Sequence, residues 1–149
     1  GNSRLDELQA AFLRIKLRHL DADNQARHDI ALRYAQSLDR RALSLPELPP
    51  EDEAHAWHLY VVRSEHRAAL QQHLLEAGVQ TLIHYPTPIH RQAAYRELAG
   101  VNLPITERLS EQVLSLPIYP GLSAQQVDRV IDACNDFAAI ESNSSVREH

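Results

Sequence analysis

Residues 79–95 read VQTLIHYPTPIHRQAAY, an apolar segment that continues into a loop rich in proline, histidine and tyrosine. In an extended chain Val79, Thr81 and Ile83 share one face, and β-branched residues of this kind favour a strand over a helix. The pattern therefore predicts a buried strand over residues 79–83. A strand here indicates that the chain contains a sheet and is not a purely helical bundle.

The loop after this strand carries a dense group of polar and aromatic side chains. Pro86 and Pro88 end strand pairing, because proline cannot donate to a ladder and holds the preceding residue extended. His84 and Tyr85 are therefore expected at a strand end, a position where proteins often place binding groups. A structural corner without function is the competing interpretation, since the chain has 9 histidines.

Size and composition are those of an ordinary globular domain. The chain has 149 residues, of which 44% are hydrophobic and 23% charged, and this length is sufficient for one hydrophobic core. No run approaches the roughly 20 apolar residues that span a bilayer, and the N-terminus lacks the form of a signal peptide. We therefore expect a cytoplasmic protein without a membrane partner.

Charge and reactive residues exclude several classes of function. The formal net charge is -5, and the absence of a basic block or glycine-rich phosphate loop argues against nucleic acid as a partner. The single cysteine, Cys134, excludes an internal disulfide and falls on the apolar face of a predicted helix, where packing is its expected role. His84 and His90 lie on a proline-bent loop without a recognised ligand pattern, so no metal site is expected.

Apolar periodicity predicts a helical start to the chain. Residues 1–40 carry apolar positions at steps of three and four and contain no proline, which predicts a long N-terminal helix or two consecutive helices. The apolar pattern ends near residue 140. We therefore expect one domain over residues 1–140 and a disordered tail over residues 141–149.

Residues 54–137 form a mixed α+β unit in this interpretation. Strand patterns at residues 55–62, 79–83 and 113–118 alternate with helix patterns. The last helix opens with Ser123 and Gln126, whose spacing is that of a capping box. The expected fold is α+β, with a long N-terminal helix followed by a small sheet on which helices pack.

Three motifs occur in a distinctive order: NSRLDELQAA at residues 2–11, HYPxPxHxQ at 84–92 and LSLPxxP at 114–120. Together they resemble the DegT/DnrJ/StrS family of pyridoxal-phosphate-dependent sugar aminotransferases, over nearly the whole chain. The resemblance implies the small, C-terminal domain of a fold-type-I aminotransferase. Such enzymes are homodimers that use pyridoxal 5'-phosphate to move an amino group from glutamate to a keto-sugar on a nucleotide diphosphate, for polysaccharide or secondary-metabolite sugars.

The resemblance also implies roles for individual residues. Asn2 matches an asparagine that reaches across the dimer to the cofactor phosphate, and Arg4 matches an arginine at the partner's substrate site. His84, Tyr85 and His90 match substrate-binding positions. These roles agree with side-chain chemistry, since an amide and a guanidinium suit phosphate groups, and imidazole and phenol groups can bond sugar hydroxyls.

The chain departs from the family pattern in lacking the large domain with its Schiff-base lysine. Lys16 is the only lysine and matches a helical position that is not catalytic in the family. We therefore assign no catalytic residue, and we expect the full-length protein, but not this chain alone, to be an active enzyme. The alternative is a stand-alone, non-enzymatic domain retained for binding or dimerisation.

Overall fold

The computed structural model describes residues 7–50 and 55–146. In chain order these form α1 (Glu7–Leu17), α2 (Leu20–Ser37), β1 (Tyr60–Arg63), α3 (Arg67–Glu76), α4 (Pro104–Gln112), β2 (Val113–Leu116) and α5 (Ala124–Val146). Two 3₁₀ segments, Ile89–Arg91 and Ala93–Leu98, lie between α3 and α4. The fold is α+β, as predicted.

The N-terminal helical segment consists of two helices. The backbone amides of Arg18 and His19 donate to carbonyl groups only three residues back, at 3.2 and 3.0 Å. This tighter turn separates α1 from α2. α2 packs into the core, whereas α1 leaves large apolar side chains in solvent, including Phe12, which is 65% exposed.

The sheet has two antiparallel strands in the described residues. In β1 and β2, Tyr60 lies opposite Leu116 and Arg63 lies opposite Val113. Each strand is extended on its outer edge by a single bridge, Ser44 with Arg63 and Leu82 with Ser115. The sheet therefore has one additional backbone bridge on each side. The bridge at Leu82 positions the proline-containing loop that follows it.

Two predicted strands are shorter than the sequence pattern suggested. The strand expected at residues 79–83 is reduced to a bridge at Leu82, because the chain leaves the sheet as it enters the proline-containing loop. The strand expected at residues 55–62 begins only at Tyr60. Trp57 has a φ of 46°, and this left-handed backbone conformation interrupts an extended segment.

The hydrophobic core lies between the sheet and helices α2, α3 and α5. Its largest fully buried side chains are Tyr34, Tyr60, Leu70, Leu74, Leu114, Val62, Val127 and Cys134. Within residues 7–50 and 55–146, no helix combines the length and the apolar character needed to cross a membrane.

α5 has the cap and the buried face that the sequence predicted. The Ser123 hydroxyl accepts a bond from the Gln126 amide at 3.3 Å, and the Gln126 side chain accepts one from the Ser123 amide at 2.9 Å. The buried face comprises Val127, Val130, Ile131, Cys134 and Phe137. α5 continues to Val146, and residues 147–149 of the expected tail lie outside the described residues.

Tyr34 links α2 to the end of β2. Its ring is fully buried against Tyr60, and its hydroxyl donates a 2.8 Å hydrogen bond to the Pro117 carbonyl. Tyr34→Phe leaves that carbonyl without its partner, so we expect the free energy of unfolding to fall by about 1–2 kcal/mol. Urea denaturation measures this change. Tyr95→Phe, at a half-exposed ring, is the matched control and should change stability far less.

Candidate functional site

The proline loop, defined as residues 84–91, leaves the sheet edge beside β2. The bridge between Leu82 and Ser115 brings the chain to this strand. Two residues later, the His84 ring reaches the Ser115 hydroxyl, with 2.9 Å between Nδ1 and Oγ. Ser115 is 5% exposed, so the hydrogen bond fixes the imidazole to a rigid strand.

Tyr85 lies beside His84 at the start of the proline loop. The two rings are nearly perpendicular, at 84°, and their centroids are 5.7 Å apart. Tyr85 is 72% exposed, which leaves its phenol free to contact a ligand or another protein surface. An aromatic ring with a polar tip is suited to packing on a sugar while bonding to one of its hydroxyls.

A cavity of about 510 Å³ adjoins His84. Its polar lining groups are His58, His84, Gln80, Ser115, Tyr119, Gln126 and Arg129. Apolar side chains that include Leu116 and Val130 form the remaining wall. A mostly apolar wall with a few polar groups is typical of small-molecule sites.

The Ser115 and His84 pair is not arranged as a nucleophile with its base. Ser115 is buried within β2. The ion pairs of the described histidines involve His66 and His90, and none joins a described carboxylate to His84. A nucleophilic serine needs exposure and an oriented base. We therefore interpret this hydrogen bond as a contact that orients the imidazole.

The other end of the proline loop is fixed to α4. Glu107 Oε1 accepts a hydrogen bond from His90 Nε2 at 3.0 Å and another from Arg91 Nη2 at 2.9 Å. His90 is 4% exposed. A carboxylate can only accept, so Nε2 is the protonated nitrogen of this imidazole.

These contacts favour the ionised form of the Glu107 carboxyl group. The hydrogen bonds from His90 and from Arg91 lower the pKa of Glu107 from 4.5 to about 2. A lowered folded-state pKa stabilises the fold above the unfolded value. This contribution is therefore fully present above pH 4.5 and is lost as the pH falls toward 2.

The predicted site residues differ in where the structure places them. His84 lines the cavity, whereas Tyr85 does not line it and is exposed next to the His84 ring. His90 does not line the cavity and is buried against Glu107. Asn2 and Arg4 lie outside the described residues, so their roles stay predictions.

Sequence reasoning missed Ser115 and Glu107. Ser115 is the only polar residue of β2, and a lone serine within the apolar motif LSLP was a usable signal. Glu107 gave no such signal, because an acidic residue early in a helix is common for reasons of helix stability alone. Its two hydrogen bonds are with Arg91 and His90, which are 16 and 17 positions earlier in the chain.

Other reactive groups do not form a site in the described residues. Burial raises the pKa of the Cys134 thiol to about 12, so this cysteine stays protonated and unreactive. The described part of the chain contains no group of three or more His, Cys, Asp or Glu side chains that could hold a metal ion.

The described residues do not form a complete pyridoxal-phosphate site. A lysine that holds this cofactor needs neighbours that pack on the ring and pair with its nitrogen. Lys16 lies on exposed α1, and the adjacent Ile15 and Leu17 are also exposed.

Comparison with known proteins gives consistent matches. The profile of the DegT/DnrJ/EryC1/StrS aminotransferase family matches residues 1–135. A dTDP-3-amino-3,6-dideoxy-alpha-D-galactopyranose transaminase from Aneurinibacillus thermoaerophilus is 49% identical over 136 residues, which are 91% of this chain and 37% of that protein.

Solved structures match equally well. DesV from Streptomyces venezuelae has a TM-score of 0.83 and 45% identity, over 91% of this chain and 37% of DesV. NtdA from Bacillus subtilis, solved with bound cofactor PMP, has a TM-score of 0.84 and 34% identity, over 93% of this chain and 34% of NtdA.

The chain thus spans only 34 to 37% of the length of these relatives. Aminotransferases of this family use pyridoxal phosphate, in agreement with the PMP in NtdA. Profile, identity and structural similarity lead to one conclusion: the chain belongs to the DegT/DnrJ/EryC1/StrS family of fold-type-I aminotransferases.

Proposed function

We propose that this chain is the C-terminal part of a nucleotide-sugar aminotransferase that transfers an amino group from glutamate to a keto-sugar. The observation that carries the proposal is the proline loop, which holds the cavity-lining His84 on rigid β2 and exposes Tyr85 next to His84. Because the chain belongs to this aminotransferase family, the loop has a sugar substrate to bind in this proposal.

In this proposal His84 and Tyr85 bind the sugar part of the substrate. An imidazole held through Nδ1 keeps Nε2 for a hydroxyl group, and the exposed phenol ring packs on the sugar. His90 contributes indirectly, since its Nε2 is bonded to Glu107. Asn2 and Arg4 contact the cofactor phosphate and the nucleotide sugar in the active site of the partner subunit of a homodimer.

Pyridoxal phosphate supplies the amino-group chemistry when it is bound. The residues of this chain bind and orient the sugar nucleotide, and they do not attach the cofactor. The lysine that does so belongs to the remainder of the complete protein in this proposal, and the substrates and the dimer are likewise properties of that complete protein.

The test is steady-state kinetics of the complete protein with glutamate and dTDP-linked keto-sugars, measured as 2-oxoglutarate release. We expect Tyr85→Ala to raise the KM for the nucleotide sugar about tenfold, because it removes a packing surface and a hydrogen bond. Arg4→Ala should raise the same KM.

Tyr95→Ala is the control for Tyr85→Ala, since Tyr95 is a partly exposed tyrosine on the neighbouring 3₁₀ segment. Its kinetic constants should match those of the unmodified protein. Absence of 2-oxoglutarate release with every dTDP-linked keto-sugar tested would contradict the proposed function.

The alternative function is a non-enzymatic domain that binds a ligand or dimerises. The exposed position of the single lysine on α1 is the observation that favours it. Saturable nucleotide-sugar binding by the native protein, without turnover and without a lysine-bearing domain in its reading frame, would decide for this alternative.

A further inference from the structure

The proline loop is fixed at both of its ends to one continuous segment of the chain. His84, at its start, bonds to Ser115 of β2. His90 and Arg91, at its end, bond to Glu107 of α4. Because β2 begins at the residue that follows α4, both anchors belong to a single helix and strand unit. Movement of that unit would carry the whole loop with it.

Glu107 makes the stronger of the two anchors. Its one oxygen accepts bonds from two adjacent residues, and the donor His90 is almost completely buried. Charge-assisted hydrogen bonds of this kind are roughly twice as strong as neutral ones. Backbone bonds inside the turn, from the Arg91 amide to Pro88 and from the Gln92 amide to Ile89, are short-range and cannot fix its position on the domain.

The residues between the anchors are the exposed ones. Tyr85 and Ile89 both present most of their side-chain surface to solvent. Two prolines, Pro86 and Pro88, limit the backbone between them. A short, proline-restricted loop with two fixed ends holds its exposed side chains in one place before any ligand arrives, which lowers the entropic cost of binding.

Glu107 itself is poorly suited to touch the substrate. Its Oε1 is already bonded to His90 and Arg91, and a carboxylate ionised at neutral pH would repel a nucleotide diphosphate. Any effect of Glu107 on the substrate must therefore pass through the proline loop.

We propose that Glu107 is a positioning residue for nucleotide-sugar binding, which acts through His90 and Arg91 to hold Tyr85 in place. The proposal rests on the proposed function above, because it assigns Tyr85 to the substrate. Glu107 affects how tightly the substrate binds and not the chemical step.

The first measurement is hydrogen exchange of the complete protein in its unmodified form and as Glu107→Gln. The variant keeps the side-chain shape and removes the charge. We expect the amides of Arg91 and Gln92 to exchange about tenfold faster, with the amides of α5 unchanged. Glu111→Gln, an exposed acid one turn further along α4, is the matched control and should leave the loop amides unchanged.

The second measurement is kinetic. Glu107→Gln should raise the KM for the dTDP-linked keto-sugar about tenfold with kcat within about twofold of the unmodified value. In a Tyr85→Ala background the same substitution should have no further effect on KM, because the side chain that Glu107 holds in place for the substrate is then absent. A purely stabilising role of Glu107 would not produce this dependence on Tyr85.

The outcomes separate the two proposals. Unchanged loop exchange in Glu107→Gln overturns the anchoring role, and so does faster exchange with an unaltered KM. Equal effects of Glu107→Gln with and without Tyr85, or a loss confined to kcat, also overturn it. An unmodified protein that releases no 2-oxoglutarate overturns the proposed function instead, and the exchange data then decide whether Glu107 fixes the loop.

Discussion

The isolated 149-residue chain is expected to show no amino transfer from glutamate to a keto-sugar, even at saturating pyridoxal phosphate. Transamination needs a lysine that holds the cofactor and moves a proton at the reacting carbon. Lys16 lies on α1 between Ile15 and Leu17, and both of these neighbours are exposed, so they form no packed wall against which the ring could be held. The expected effect is a complete loss relative to the full-length protein.

Absorbance during a titration with pyridoxal phosphate checks this result. Only slow, unsaturating labelling of Lys16 and the amino terminus is expected, as for any exposed amine. Lys16→Ala is the control. A saturable visible band that disappears in Lys16→Ala, together with release of 2-oxoglutarate, would show that the chain is a complete enzyme.

Leu74→Ala is expected to remove about 3 kcal/mol from the free energy of unfolding. Leu74 is 0% exposed on the face of α3 that packs on α5 and β2, so truncation leaves a cavity that rigid neighbours cannot fill. Domains of this size are stable by only about 5–15 kcal/mol. The loss is therefore a large part of the total.

Urea denaturation of the two adjacent leucines makes the comparison direct. Leu75 is 55% exposed on the same helix, and Leu75→Ala should change stability by no more than about 0.5 kcal/mol. Similar losses for both variants would mean that α3 does not pack on the core through Leu74.

Local rules predicted the parts of the fold that depend on neighbouring residues. The Ser123 and Gln126 cap of α5 depends on a spacing of three residues, and both predicted bonds form. Gly78, two residues after the end of α3, has a φ of 77° that glycine adopts without strain, and a glycine at this position is the usual helix terminator. Features of this kind are encoded within one helical turn.

The strands were harder to predict because their ends depend on distant partners. Apolar alternation at residues 55–62 contained no signal that Trp57 turns out of the extended conformation. This ring instead packs between His55 and Tyr60. At residues 79–83 the pattern was correct for burial of Val79, but pairing with β2 forms only at Leu82.

For the candidate site, the sequence predicted the position of the loop but not its long-range contacts. The prolines indicated that His84 and Tyr85 would follow a strand, and the structure places them directly after the single bridge at Leu82. The pairing of these anchors with the histidines was not predictable, since Ser115 and Glu107 are 31 and 17 positions from the histidines they bond. His90 shows the consequence: its place in the motif suggested substrate contact, and its burial indicates support.

The contacts of Glu107 have a consequence for how this domain can diversify. They close a detour of the chain over residues 92–106, which contains the 3₁₀ segment Ala93–Leu98 and buries no side chain. Lengthening a closed surface loop costs little, about 0.6 kcal/mol for each doubling. We therefore expect insertions and deletions here to be tolerated, because this surface can change without rebuilding the core.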